Sequence, residues 1–162
     1  MFPFNRRDNK HYNALDETGV EVLTELGNCN IGIYAVSYKK SKLDLGTAKK
    51  KQIHNFGQIL ELIDLVLRND DGSTYDIMID NMTLMNGYEN VFVKMCYQFA
   101  GLCGKTIENI EMRDSCGTKV LQVHNYIAGT IGAHIENEKD KRNDCHKRFE
   151  MIRPKIKEII KR

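Results

Sequence analysis

At 162 residues, 41% hydrophobic and 28% charged, the chain is sized for one domain with one buried core, and its charges are too mixed in sign to suggest disorder. A formal net charge of +2 gives no global case for nucleic-acid binding, so any such case needs a local patch. No apolar run approaches the roughly 18 residues of a membrane span. The polar, basic start from Met1 to Lys10 lacks the apolar stretch of a secretory signal. The five cysteines, Cys29, Cys96, Cys103, Cys116 and Cys145, are odd in number and without paired spacing, which argues for reduced thiols and a cytoplasmic location.

Along the chain, residues 1–13 show little periodicity and are expected to form a polar arm, with 14–162 a single α/β domain. Leu15, Val22, Leu23 and Leu26 fall on one helical face, closed by Gly27 and Asn28. Ile31–Tyr38 (IGIYAVSY) is β-branched, aromatic and nearly uncharged, as a buried strand requires. A lysine-rich loop is expected over 39–51. A helix over 53–67 follows, with Ile59, Leu60, Ile63, Val66 and Leu67 as its inner stripe, and a turn at 69–72. Tyr75–Asn81 (YDIMIDN) is a second strand, with Ile77 and Ile79 bracketing Met78 and an acid at its end. Tyr88–Leu102 is a helix whose predicted core face carries Val91, Met95 and Phe99, and Ile107–Met112 is a third strand with Ile110 and Met112 inward.

Val120–Ile135 is a helix with Val123, Ile127 and Ile131 on one side. The small residues Ala128, Gly129 and Gly132 lie on the other, a side expected to pack tightly on a sheet. The tail from Asp144 is amphipathic through Phe149, Ile152, Ile156 and Ile159; Pro154 predicts a break near Arg153 and a second short helix after it. Strands separated by helices imply crossover connections and a small, mostly parallel sheet flanked by helices. Three strands are few for such a sheet, so either a further strand lies in the first residues or another chain completes it.

Ligands of open α/β sheets bind beyond the carboxyl ends of the strands. Asp80 stands at such an end, Asp114 directly follows the third strand, and Asn125 lies a turn or two into the next helix. Converging carboxylates at strand ends hold Mg²⁺ or Mn²⁺ in phosphoryl-transfer sites, because hard cations take oxygen ligands. An Asp after a strand is equally a turn or helix-capping residue, so spacing alone leaves both readings open.

The order IYAVSYKK, then YDIMID, then Asp114-Ser115, then LQVHNYIAGTIGA, then FEMIRPKI resembles the ribonuclease-H-like family of the domain of unknown function DUF 3800, over Tyr34–Ile156. The resemblance implies a ribonuclease-H-like α/β fold and a divalent-metal-dependent nuclease or phosphodiesterase. Asp80 and Asp114 would be metal ligands, and Asn125 would stand where the family carries an Asp. Two departures matter. No strand ending in Asp-Glu-Ser-Gly is visible; Asp16-Glu17-Thr18-Gly19 follows HYNAL rather than an apolar run. Asn125 supplies no charge. Losing two anionic ligands implies an inactive relative, or a fragment of a longer ancestor.

Gly101–Thr106 (GLCGKT) is similar to the end of a phosphate-binding loop, but it follows a helix and precedes a strand, the reverse of that motif's context. A helix stop at Gly104 explains it. Cys96 and Cys103, and Cys145 beside His146, lack paired zinc spacing and are expected to be packed thiols. His124, next to Asn125, is expected to be an ordinary helix histidine. Lys39, Lys40, Lys42, Lys49, Lys50 and Lys51 crowd one segment with a single acid, Asp44. Clustered lysines neutralise phosphates, although a solvated surface loop is the simpler reading. Three functions remain open: a divergent metal-dependent nuclease, a non-catalytic nucleic-acid-binding relative, and a structural or oligomer-forming domain with no nucleic-acid role.

Overall fold

The computed structural model describes residues 17–38, 48–80, 87–138 and 144–162. In chain order these form α1 (Glu17–Asn28), β1 (Ile33–Ser37), α2 (Ala48–Asn69), β2 (Thr74–Asp80), α3 (Glu89–Leu102), β3 (Thr106–Arg113), α4 (Lys119–Glu136) and α5 (Asp144–Ile152). A 3₁₀ turn over Arg153–Lys155 leads into β4 (Ile156–Lys161). The protein is mixed α/β, as expected. Among the described residues, however, the strands form two small parallel two-stranded sheets, β1 with β4 and β2 with β3, rather than one.

By contact the chain divides into two compact units: Met1–Ala35 with Gln122–Ile159, and Val36–Leu121 with Ile160–Arg162. The second holds a β2–α3–β3 crossover. Leu60 and Leu67 of α2, Phe92, Cys96 and Ala100 of α3, Ile79 of β2 and Ile107 of β3 form its buried core. The apolar side of the strand pair therefore lies against two helices, with Tyr75, Ile77, Ile110 and Met112 half-buried around the same core. In the first unit Leu23 of α1, Ile33 of β1, Ile131 of α4, and Phe149 and Ile152 of α5 make a separate cluster. Gly19 lies close against Tyr126: a Cβ on it would stand 2.6 Å from Cζ of that ring, so a larger residue would require the Tyr126 side chain to shift.

The end of α3 is a Schellman motif. Gly104 takes a φ of +67°, its N–H donates to the Gly101 carbonyl at 3.2 Å, and the Lys105 N–H donates to the Ala100 carbonyl at 2.8 Å. This accounts for GLCGKT as a helix stop. Lys105 then anchors the start of the strand pair, its ammonium donating to the Asp70 carbonyl at 2.8 Å and to that of Gly72.

Four expectations are corrected. The helix after the lysines begins at Ala48, so Lys49, Lys50 and Lys51 lie in the first turn of α2 rather than in a loop. On α3 the fully buried residues are Phe92, Cys96 and Ala100; Met95 and Phe99 pack against the same core as expected, but Val91 is 46% exposed. Cys96 and Ala100 are small enough to bring the helix close to its neighbours, and that places Phe92 inward. On α4, Ala128 is exposed and a Cβ on Gly132 would meet nothing within 4 Å, so no tight packing depends on Gly132. The segment after Pro154 is a strand, β4, and supplies the fourth strand that three alone could not account for.

Burial has a chemical consequence at Cys96, which is fully enclosed. Loss of solvation pushes its thiol from 9.0 up to about 12. Between those values the unfolded chain has released this proton and the folded chain has not. Fewer protons are then bound by the unfolded state, and stability falls as pH rises through that window; below it the thiol has no effect. Thiol-reagent titration in mildly alkaline buffer should modify exposed Cys29 and Cys116 promptly and Cys96 only with unfolding.

Candidate functional site

The β2–β3 pair is parallel, with Thr74 opposite Thr106, a register shift after Tyr75, and then Asp76 opposite Asn109, Met78 opposite Glu111 and Asp80 opposite Arg113. Paired residues in register project to one face. The face away from the α2–α3 core therefore carries Asp76, Met78, Asp80, Asn109, Glu111 and Arg113, and a shallow depression of about 210 Å³ lies along it, lined by Asp76, Ile77, Met78, Asn109 and Glu111. Because the strands run the same way, the carboxyl end of β2 at Asp80 and that of β3 at Arg113 fall on one edge, and Asp114 follows immediately.

Asp114, Arg113, Glu111 and Asn109 are engaged in hydrogen bonds within the fold. The Asp114 carboxylate accepts from the Cys116 N–H at 2.9 Å, an Asx turn that starts the chain reversal into α4. Arg113 Nε donates to Glu111 at 2.6 Å, and Asn109 Nδ2 donates to the other oxygen of the same carboxylate at 2.9 Å. Those two hydrogen bonds, Arg113 first, hold Glu111 below the ordinary carboxylate range. In register Arg113 stands opposite Asp80, and its guanidinium is engaged with Glu111 on the same strand.

Of the residues picked out by sequence, Asp80 is half-buried and Asp114 exposed, both in the second unit, while Asn125 lies half-buried on α4 in the first. Lys39, Lys40 and Lys42 lie outside the described residues. Lys49, Lys50 and Lys51 stand at the start of α2, where no acid occupies the first turn. Lysines there meet the positive end of the helix dipole, an arrangement that an anion would relieve. Among the described residues no group of three His, Cys, Asp or Glu side chains is placed to hold a metal ion. No helix among them is long and apolar enough to cross a membrane.

Arg113 does not stand out in the sequence and becomes informative only through the β2–β3 register. Comparison with protein-family models, with curated proteins and with solved structures gave no match.

Proposed function

We propose that this chain is a catalytically degenerate domain of the ribonuclease-H-like, DUF 3800 type that binds polyanions without hydrolysing them. The observation that carries the reading is the register that sets Arg113 opposite Asp80. A hydrolytic site of this class gathers several carboxylates around Mg²⁺ or Mn²⁺ so that water can be activated beside the phosphate. Here the rim offers only Asp80 and Asp114, the latter already accepting a turn hydrogen bond, and the residue opposite Asp80 in register is a cation, Arg113, rather than a third carboxylate. Asn125, in place of the family's Asp, adds no charge. These residues fit a two-metal centre poorly, and no hydrolytic step follows from them.

The lysines from Lys39 to Lys51 supply the polyanion affinity in this reading. Each phosphate they neutralise releases counterions, so binding to generic RNA or single-stranded DNA should weaken steeply between low and physiological salt. Replacing Lys49, Lys50 and Lys51 with glutamine should weaken binding across all sequences alike. Incubation with Mg²⁺ or Mn²⁺ should yield no cleavage. Metal-dependent cleavage that disappears in Asp80→Ala would establish the active nuclease instead. Absence of salt-sensitive binding would leave a structural role.

A further inference from the structure

We propose that the exposed apolar patch around Tyr88 is a platform on which an unpaired base stacks, so that the polyanion taken by this domain is single-stranded nucleic acid; this rests on the polyanion reading above and names its ligand. Tyr88 directly precedes α3 as its N-cap residue and is 42% exposed. Phe56 of α2 stands edge-on to it, ring centroids 6.3 Å apart at 71°. Phe56 meets the enclosed Phe92 in the same way, at 5.7 Å and 72°. Three rings therefore run from the core of the second unit to its surface, each packed against the next. Val91, one turn along α3, is 46% exposed, and Ile53, one turn before Phe56 on α2, is 52% exposed.

Exposed ring and aliphatic surface gathered in one place gains by being covered. The charge around it selects the ligand. α2 opens with Lys49, Lys50 and Lys51, within about one turn of Ile53, and Lys50 is exposed. On a helix Lys50 stands ~9 Å along the axis from Phe56, close enough for its ammonium to meet a phosphate while the adjoining base covers Tyr88. Glu89, the acid next to Tyr88 in sequence, turns back to its own backbone, its carboxylate accepting from the Gly87 N–H at 2.8 Å.

Positive charge beside an outward ring holds single strands without sequence preference: lysines follow the phosphates, and any base offers a π-face to stack. Phe56 packs against the Tyr88 ring before a ligand arrives, so little rotamer freedom is lost on binding. A duplex keeps its base faces stacked inside, and a peptide's anchor residues need a pocket to fill. An unpaired base needs only exposed ring surface.

The test measures binding of the full chain, at fixed low salt, to a short single-stranded DNA, to an abasic strand of the same length and to heparin. The wild-type chain should bind the base-bearing strand about five- to a hundredfold tighter than the abasic one. Tyr88→Ser should remove that preference and leave the abasic strand and heparin bound as before, while Tyr88→Phe should retain it. The slope of log affinity against log salt should be unchanged in Tyr88→Ser, because no phosphate contact is lost, and shallower by about 0.7 in Lys50→Gln. Equal affinity of the wild-type chain for the two strands, with heparin still bound, would overturn the platform and leave the polyanion reading intact. No binding to heparin or to either strand would overturn both. Preferential binding of an acidic apolar peptide, lost in Tyr88→Ser, would assign the patch to a protein partner and overturn the platform equally. The wild-type comparison of the two strands decides the matter even if a variant fails to fold.

Discussion

Replacing Phe92 with alanine is expected to cost about 3–5 kcal/mol, a large part of the ~5–15 kcal/mol that holds a typical domain folded. Phe92 is fully enclosed and stands edge-on to Phe56, with ring centroids 5.7 Å apart at 72°. Leu60, Ile79 and Ile107 belong to the same buried cluster, so the helices and both strands of the second unit share it. Truncation removes the ring's apolar burial and leaves a cavity that close-packed neighbours can only partly fill. In urea the midpoint should fall with the slope unchanged, because the surface exposed on unfolding is nearly the same. Phe92→Leu should recover much of the loss. A cost under about 1 kcal/mol for the alanine variant would mean the core face of α3 is the Val91 side after all.

Ile152→Ala is the second large effect, expected at about 2–5 kcal/mol. Ile152 is fully buried with Leu23, Ile33, Ile131 and Phe149, and it is the last residue of α5. The chain leaves the helix there through Arg153-Pro154-Lys155, where the proline removes a backbone donor and forces the turn into β4. The side chain therefore fills a core and also fixes the point at which helix gives way to strand. Ile152→Val should cost only about 0.5–1.5 kcal/mol. Hydrogen exchange should show α1 and α5 amides opening faster in the alanine variant while Phe92 amides keep their protection.

The sequence exposed local structure more readily than pairing. YDIMID is a strand, with Ile77 and Ile79 bracketing Met78 and flanked by Asp76 and Asp80, and Gly104 marks a helix end; both appear where expected. On α3 Met95 and Phe99 pack on the core as expected, but Val91, more hydrophobic than Ala100, is exposed while Cys96 and Ala100 are buried. What decides the inner face is how closely the helix can approach, and that favours the small pair. In the tail, Phe149, Ile152, Ile156 and Ile159 fit a helical period across Pro154. Yet β-branched isoleucines after a proline suit an extended chain as well, and pairing with β1 settles it. The candidate rim was legible as two acids at strand ends. The placing of Arg113 opposite Asp80 was not, since which residue faces which across a sheet depends on a register that includes a shift after Tyr75.

The most direct test of the degenerate rim is Mn²⁺-induced broadening of backbone amide NMR signals, compared between the wild-type chain and Arg113→Gln. With the guanidinium in place, low Mn²⁺ should broaden no signals selectively. Once it is removed, the amides flanking Asp80 and Asp114 should broaden first, and Asp80→Asn in the same background should abolish the effect. Strong, selective broadening at Asp80 and Asp114 in the wild-type chain, undiminished relative to Arg113→Gln, would contradict it and point to a working metal centre.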